Sequence, residues 1–185
     1  MPNPPPKPDL ESVLALECPP LVDRYAGASA RFDRRVLDLS DEQQDLCFRP
    51  EAGVGRWSCR MLVGHVADAD LVFTHRMRRA VAEEGPVVAE WDENAFIDSG
   101  LYASAEAGGG GADRPLAGSV ALIHTLRLWT ADWLRTLAPA QWDRRLMHPS
   151  HGPQTVKAVC ARATWHLEHH AWFLAAKVER LLNAD

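Results

Sequence analysis

The sequence predicts an all-α protein, a four-helix bundle with a long crossover between its second and third helices. Three observations carry this. Apolar residues recur at steps of three and four over four separate stretches of the 185-residue chain. No stretch shows sustained alternation of strand type, and no internal repeat is visible. Between the second and third helical stretches lies a span without periodicity, residues 85–114, which is too long for a tight hairpin and suits a crossover or a lid.

Residues 1–9 hold five prolines, each fixing φ and lacking an amide donor, so residues 1–17 read as a proline-rich mobile tail. A single domain is expected over 18–185. Its first helix spans roughly 19–39, with Leu21, Val22, Tyr25, Ala28, Phe32, Val36 and Leu39 on one face. Ser40 can cap a short turn, and "RPEAGVG" at 49–55 breaks the chain. The second helix starts at Ser58, whose hydroxyl can cap it, with Trp57 and Leu62 at the staple positions. Its stripe of Met61, Leu62, His65, Ala69, Val72 and Phe73 runs toward Glu84, where Gly85 and Pro86 stop it.

Within the crossover, residues 91–97 can form one or two turns, and the glycine run at 108–111 reads as flexible. Pro115 suits a first helical turn, and the third helix continues through Val120, Ile123, Trp133 and Leu137, with Leu126 or Arg127 as the inward residue between them. "HPSHGPQ" at 148–154 reads as a loop, and the fourth helix covers about 155–182.

Composition narrows the function classes. A formal net charge of −5 argues against a nucleic-acid footprint, which needs a basic face. Arg76, Arg78 and Arg79, beside Glu83 and Glu84, read as a solvated helix face. No apolar run is long enough to span a membrane, and the start lacks the apolar core of a signal peptide. Cys18, Cys47, Cys59 and Cys160 form no CxxC pair and read as reduced thiols, so a cytoplasmic location is expected.

The chemistry lies in "ATWHLEHHAWFL", residues 163–174. Four residues turn a helix through about 400°, so His166 and His170 share one face and both can reach a single ion. His169 is rotated toward the rim or solvent, and Glu168 points away, so this is not an HExxH site. Two imidazoles under-coordinate a zinc-like ion, and His65, inside the apolar stripe of the second helix, is the best third ligand. His124 is the reserve. Taken alone, His65 and His124 each read more simply as hydrogen-bonded core histidines, and the pair on the fourth helix leaves metal and no-metal readings open. Asp68 reads as a surface residue, and Trp91, Trp129 and Trp165 as core or pocket wall.

These residues also carry a resemblance. "RWSCRMLVGHVADAD" (56–70), "HTLRLW" (124–129) and "HPSHGPQTVKAVCARATWHLEHH" (148–170) resemble the DinB-like superfamily over roughly 30–183. The resemblance is to its YfiT branch, which includes bacillithiol S-transferases and proteins named as metal-dependent hydrolases. It implies an up-down-down-up bundle and one divalent metal held by His65, His166 and His170. Relatives often place a further histidine where this chain has Phe173, and the glycine run enlarges the crossover; both departures bear on substrate specificity.

Three neutral imidazoles leave a dication uncompensated, so its open position should prefer thiolate or hydroxide. The expected cofactor is therefore one divalent ion, zinc first, with nickel, manganese or iron as alternatives. The resemblance favours transfer of a small-molecule thiol to an electrophilic substrate. Hydrolysis by metal-bound hydroxide, or a non-catalytic metal-binding stress or scaffold protein, are the other readings. His148, His151 and His124 are candidate acid/base helpers. By analogy alone, a homodimer is the expected assembly.

Overall fold

The computed structural model describes residues 6–102 and 115–183. The elements in chain order are α1 (Leu10–Leu14), α2 (Cys18–Gly27), α3 (Asp41–Asp45), α4 (Cys59–Ala82), α5 (Glu93–Asp98), α6 (Leu116–Leu134) and α7 (Pro139–Trp142). A hairpin of β1 (Arg145–His148) and β2 (Gly152–Thr155) then leads into α8 (Val156–Leu182). The two longest helices, α4 and α8, start where capping chemistry allows. Ser58 Oγ accepts from the Met61 amide at 3.1 Å, and Thr155 Oγ1 accepts from the Ala158 amide at 3.1 Å. Ser40 forms a full capping box with Gln43 at the start of α3.

Side-chain pairings set the helix directions. Asp70–Arg127, Thr74–Thr130 and Arg78–Trp133 advance together along α4 and α6, which are therefore parallel. His65–His170 and Phe73–His166 run in opposite senses, so α8 is antiparallel to α4. Arg24–Glu168 and Arg35–Glu179 make the first segment parallel to α8. The bundle is up-down-down-up. Its parallel α4–α6 pair is what requires a long crossover.

At the bundle centre the Arg127 guanidinium bonds Asp70 of α4, the Ala163 carbonyl of α8 and the Tyr25 carbonyl of α2. One cation thus ties all four helices together. Where the sequence left Leu126 or Arg127 open, Arg127 points inward. Its partner Asp70 removes the cost that makes a buried charge unfavourable alone.

Four expectations need correction. The first helix does not run over 19–39: α2 ends at Gly27, and two 3-10 turns, Ala28–Arg31 and Arg34–Leu37, carry the chain on. Phe32 is extended, and the Asp33 carboxylate accepts from the Arg35 amide, which restarts the coil. All seven apolar residues expected on its face are nonetheless buried. The mobile tail does not reach residue 17, because Asp9 caps α1 and Val13 is buried in the core against α8. Residues 1–5 of that tail lie outside the described residues, as does the glycine run at 108–111.

The loop expected at 148–154 is largely a hairpin, with Gly152 at φ +67 supplying the left-handed turn residue. Val87 bridges Met147 in parallel, and the Val88 amide donates to the Met147 carbonyl at 3.0 Å, so the start of the crossover is laid against β1. The basic stretch is not simply a solvated face. Arg76 is half-buried and donates to the Ala89 carbonyl, while Arg78 stacks on Trp129 and Trp133.

Candidate metal centre

His65 is buried on the inward face of α4, and His166 and His170 face it from successive turns of α8. His166 Nε2 lies 3.1 Å from His65 Nε2 and 3.2 Å from His170 Nε2. One ring nitrogen from each of the three lies within 4.8 Å of the others. Ligand nitrogens bound at ~2.0–2.1 Å to a common ion stand roughly 3.0–3.4 Å apart, so the two spacings through His166 fit donors that share one ion.

The electrostatics agree with that geometry. Burial lowers the His65 pKa to about 4. Burial and the neighbouring His65 lower His170 to about 3. Burial, with His170 and His65 adding to it, holds His166 well below the ordinary imidazole value. All three rings are therefore neutral at pH 7, the state in which imidazole is a ligand. Nδ1 of His65 and of His166 is buried without a hydrogen-bond partner among the described residues. Neither ring's tautomer is fixed by a protein acceptor, unlike most metal-bound histidines. Three neutral imidazoles cannot satisfy one another through converging Nε2 atoms, since each close pair holds at most one proton between them. A cation satisfies all three.

Aromatic rings wall the cluster. Trp91 stacks on His65 with centroids 5.3 Å apart, Trp57 stacks on His170 at 5.9 Å, and Phe73 meets His166 edge-on at 5.6 Å. Trp57 was assigned only a staple position from sequence. Its place here depends on Lys177, whose Nζ donates to the Gly55 and Trp57 carbonyls at 2.9 and 2.6 Å.

From His166 a cavity of about 210 Å³ opens toward the hairpin, with His148 and His151 in its wall. Their rings lie 4.6 Å apart. His124 is not part of this site. It is exposed on α6, within 3.1 Å of Ser29 Oγ, and lines a different cavity on the α2 side. The inward positions of α6 go to Ile123, Arg127 and Thr130, which turns His124 outward by about 100° from its neighbour.

Other expectations resolve as follows. His169 packs between Trp165 and Phe173 instead of facing open solvent. Glu168 does point away from the cluster, and its buried carboxylate pairs with the half-buried Arg24 and the exposed Arg31. Asp68 accepts from Tyr102 Oη at 2.7 Å and touches none of the three histidines. Trp91 and Trp165 line the cavity, but Trp129 is 55% exposed, neither core nor pocket wall. Sequence reasoning missed Arg162 and Gln154 as cavity residues. Arg162 carried a signal, standing four residues before His166 on the same helix face. Gln154 carried none until the hairpin was known.

The model of the DinB superfamily matches residues 24–174. An Oceanobacillus iheyensis protein named "Putative metal-dependent hydrolase OB0782" is 28% identical over 145 residues, covering 78% of this chain and 76% of that protein. "Putative metal-dependent hydrolase YfiT" of Bacillus subtilis is 29% identical over 143 residues, covering 76% and 72%. The solved YfiT structure, described as "a probable metal-dependent hydrolase with an unusual four-helix bundle topology", matches with a TM-score of 0.75 at 24% identity. That match covers 90% of this chain and 89% of the other. It establishes the shared fold. With the family model spanning most of the bundle, this chain belongs to the DinB superfamily.

Proposed function

We propose that the chain is a metal-dependent enzyme that transfers a small-molecule thiol to an electrophilic substrate, with zinc held by His65, His166 and His170. One observation carries the reading. The cluster offers three neutral nitrogen donors and, among the described residues, no carboxylate or thiolate. A divalent cation there supplies an uncompensated double positive charge that lowers the pKa of an incoming thiol. Trp57, Trp91 and Phe73 keep water from the imidazoles and leave approach through the cavity. His151, exposed at the cavity mouth, is placed to take up the thiol proton and pass it to solvent. The sulfur then forms its bond to the electrophilic carbon as the leaving group departs with the old bonding pair. Four unpaired cysteines suit a reducing, cytoplasmic setting in which a free thiol substrate persists.

A second reading is hydrolysis, favoured by the names of the Oceanobacillus and Bacillus relatives. The test is to supply zinc-loaded protein with 2-mercaptoethanol and 1-chloro-2,4-dinitrobenzene, and separately with an activated ester. Thioether and chloride forming above the uncatalysed rate, and lost in His166→Ala, is the expected result. Ester cleavage alone would replace it with the hydrolase reading. Neither activity would leave a binding or scaffold role.

A further inference from the structure

The cavity beside His166 holds a cation that binds none of the described residues. Arg162, half-buried one turn before His166 on α8, makes no hydrogen bond or ion pair with any described residue. Most other buried or half-buried arginines are paired: Arg24 with Glu168, Arg60 with Asp41 and Asp45, Arg79 with Glu83, Arg127 with Asp70, while Arg78 lies over the Trp129 and Trp133 rings. Leaving a partly desolvated guanidinium without an acceptor is costly, and five fixed donors make it a natural fork for an oxyanion.

Two further side chains of the cavity wall offer a donor without an acceptor among the described residues. Gln154 on β2 is 9% exposed, and its carboxamide has no partner among the described residues. His148 is 6% exposed, and its Nδ1 accepts from the Ser150 amide at 3.2 Å. That bond fixes the neutral tautomer with the proton on Nε2, a donor that has no acceptor among the described residues. Burial, Arg76 and His151 all lower the pKa of His148, so the ring stays neutral.

We propose that Arg162, Gln154 and the Nε2–H of His148 form a carboxylate subsite, so that the substrate carries a carboxylate beside the group that meets the three-histidine cluster. The identification of that reacting group as a thiol rests on the function proposed above; the subsite itself does not. Donors that line one cavity suit a ligand that accepts hydrogen bonds, and the planar fork of Arg162 matches a carboxylate in bidentate fashion. Arg76 also borders the cavity, facing Glu90, while the exposed Glu90 and Glu93 sit at its rim. These rim carboxylates oppose a doubly charged phosphate more than a singly charged carboxylate.

Wild type and Arg162→Leu, both loaded with cobalt, are titrated with 3-mercaptopropionate and 2-mercaptoethanol, reading the thiolate-to-cobalt absorption band. The metal-free proteins are titrated by calorimetry with succinate and with inorganic phosphate. In wild type, 3-mercaptopropionate is expected to bind at least about tenfold more tightly than 2-mercaptoethanol, as one charge-assisted contact implies. Arg162→Leu abolishes that preference while 2-mercaptoethanol binds as before, which also reports an intact metal centre. Succinate binds metal-free wild type and not the variant. Equal binding of the two thiols to wild type, or a preference retained in Arg162→Leu, overturns the subsite. If neither thiol changes the cobalt spectrum, the thiol-transfer reading fails, and the succinate titration decides the subsite alone. Phosphate binding more tightly than succinate overturns the carboxylate class.

Discussion

Arg127 and Asp70 face each other through two hydrogen bonds of 2.6 Å, with neither side chain exposed to solvent. Two more donors of the guanidinium reach carbonyls on the other two helices, at Tyr25 and Ala163. Removing one partner strands the other charge in the core. Asp70→Ala is therefore expected to lose about 3–5 kcal/mol of stability, measured by urea denaturation. Replacing both, as Asp70→Leu with Arg127→Met, should recover most of that loss, because an apolar pair has no charge to desolvate.

Acid should weaken the metal-free protein through His65. Its pKa is about 4 in the folded chain, against about 6.5 for an ordinary imidazole. The unfolded chain therefore binds more protons between those values, and stability falls as pH drops through that window. The contribution is fully present above about pH 6.5 and gone near pH 4, on the order of 3 kcal/mol in all. His65→Gln should reduce the slope of this part of the profile, leaving the share of His166 and His170, when chemical denaturation is repeated across the window.

Lys177 is expected to act through Trp57. Its buried ammonium donates to the Gly55 and Trp57 carbonyls and lies over the Phe48 ring. Lys177→Met keeps the length and removes both bonds, at a cost of about 1–3 kcal/mol. Amide exchange in 53–57 should accelerate more than exchange in the middle of α8, since Gly55 at φ +76 holds a loop with few other ties.

Gly64 and Tyr102 give a test whose sign reverses. A Cβ at Gly64 would lie 2.6 Å from Tyr102 Cδ1 and 3.1 Å from its Cγ. Gly64→Ala should therefore push the ring aside and break the Tyr102–Asp68 hydrogen bond, offsetting the helix gain. In a Tyr102→Ala background the same change should stabilise by about 0.5–1 kcal/mol. Thermal denaturation of the four proteins checks both signs.

The long helices were legible because their signals are local. Ser58 with its apolar stripe, and Thr155 ahead of the histidine-bearing face, need no distant partner to be read. The three-histidine cluster was legible because each ring sits on the inward face of a periodic helix. What escaped depends on contacts far apart in sequence. Arg127 reads as an anomaly until Asp70, 57 residues away, is beside it. The strands of the hairpin are four residues each, too short for alternation to show, and β2 includes Gly152 and Pro153. The cavity was hidden with them, since His148 and Gln154 reach it only through that hairpin. His124 misled because a histidine near an apolar stripe does not announce which neighbour takes the inward turn.

Metal stoichiometry in purified wild type, His65→Ala and His124→Ala, read by plasma mass spectrometry beside circular dichroism, tests the centre most directly. Wild type and His124→Ala should each carry about one divalent ion per chain, and folded His65→Ala less than about a tenth of that, since three protein ligands are the minimum for an open site of this kind. A folded His65→Ala protein with wild-type metal content would contradict the assignment of the ion to His65, His166 and His170.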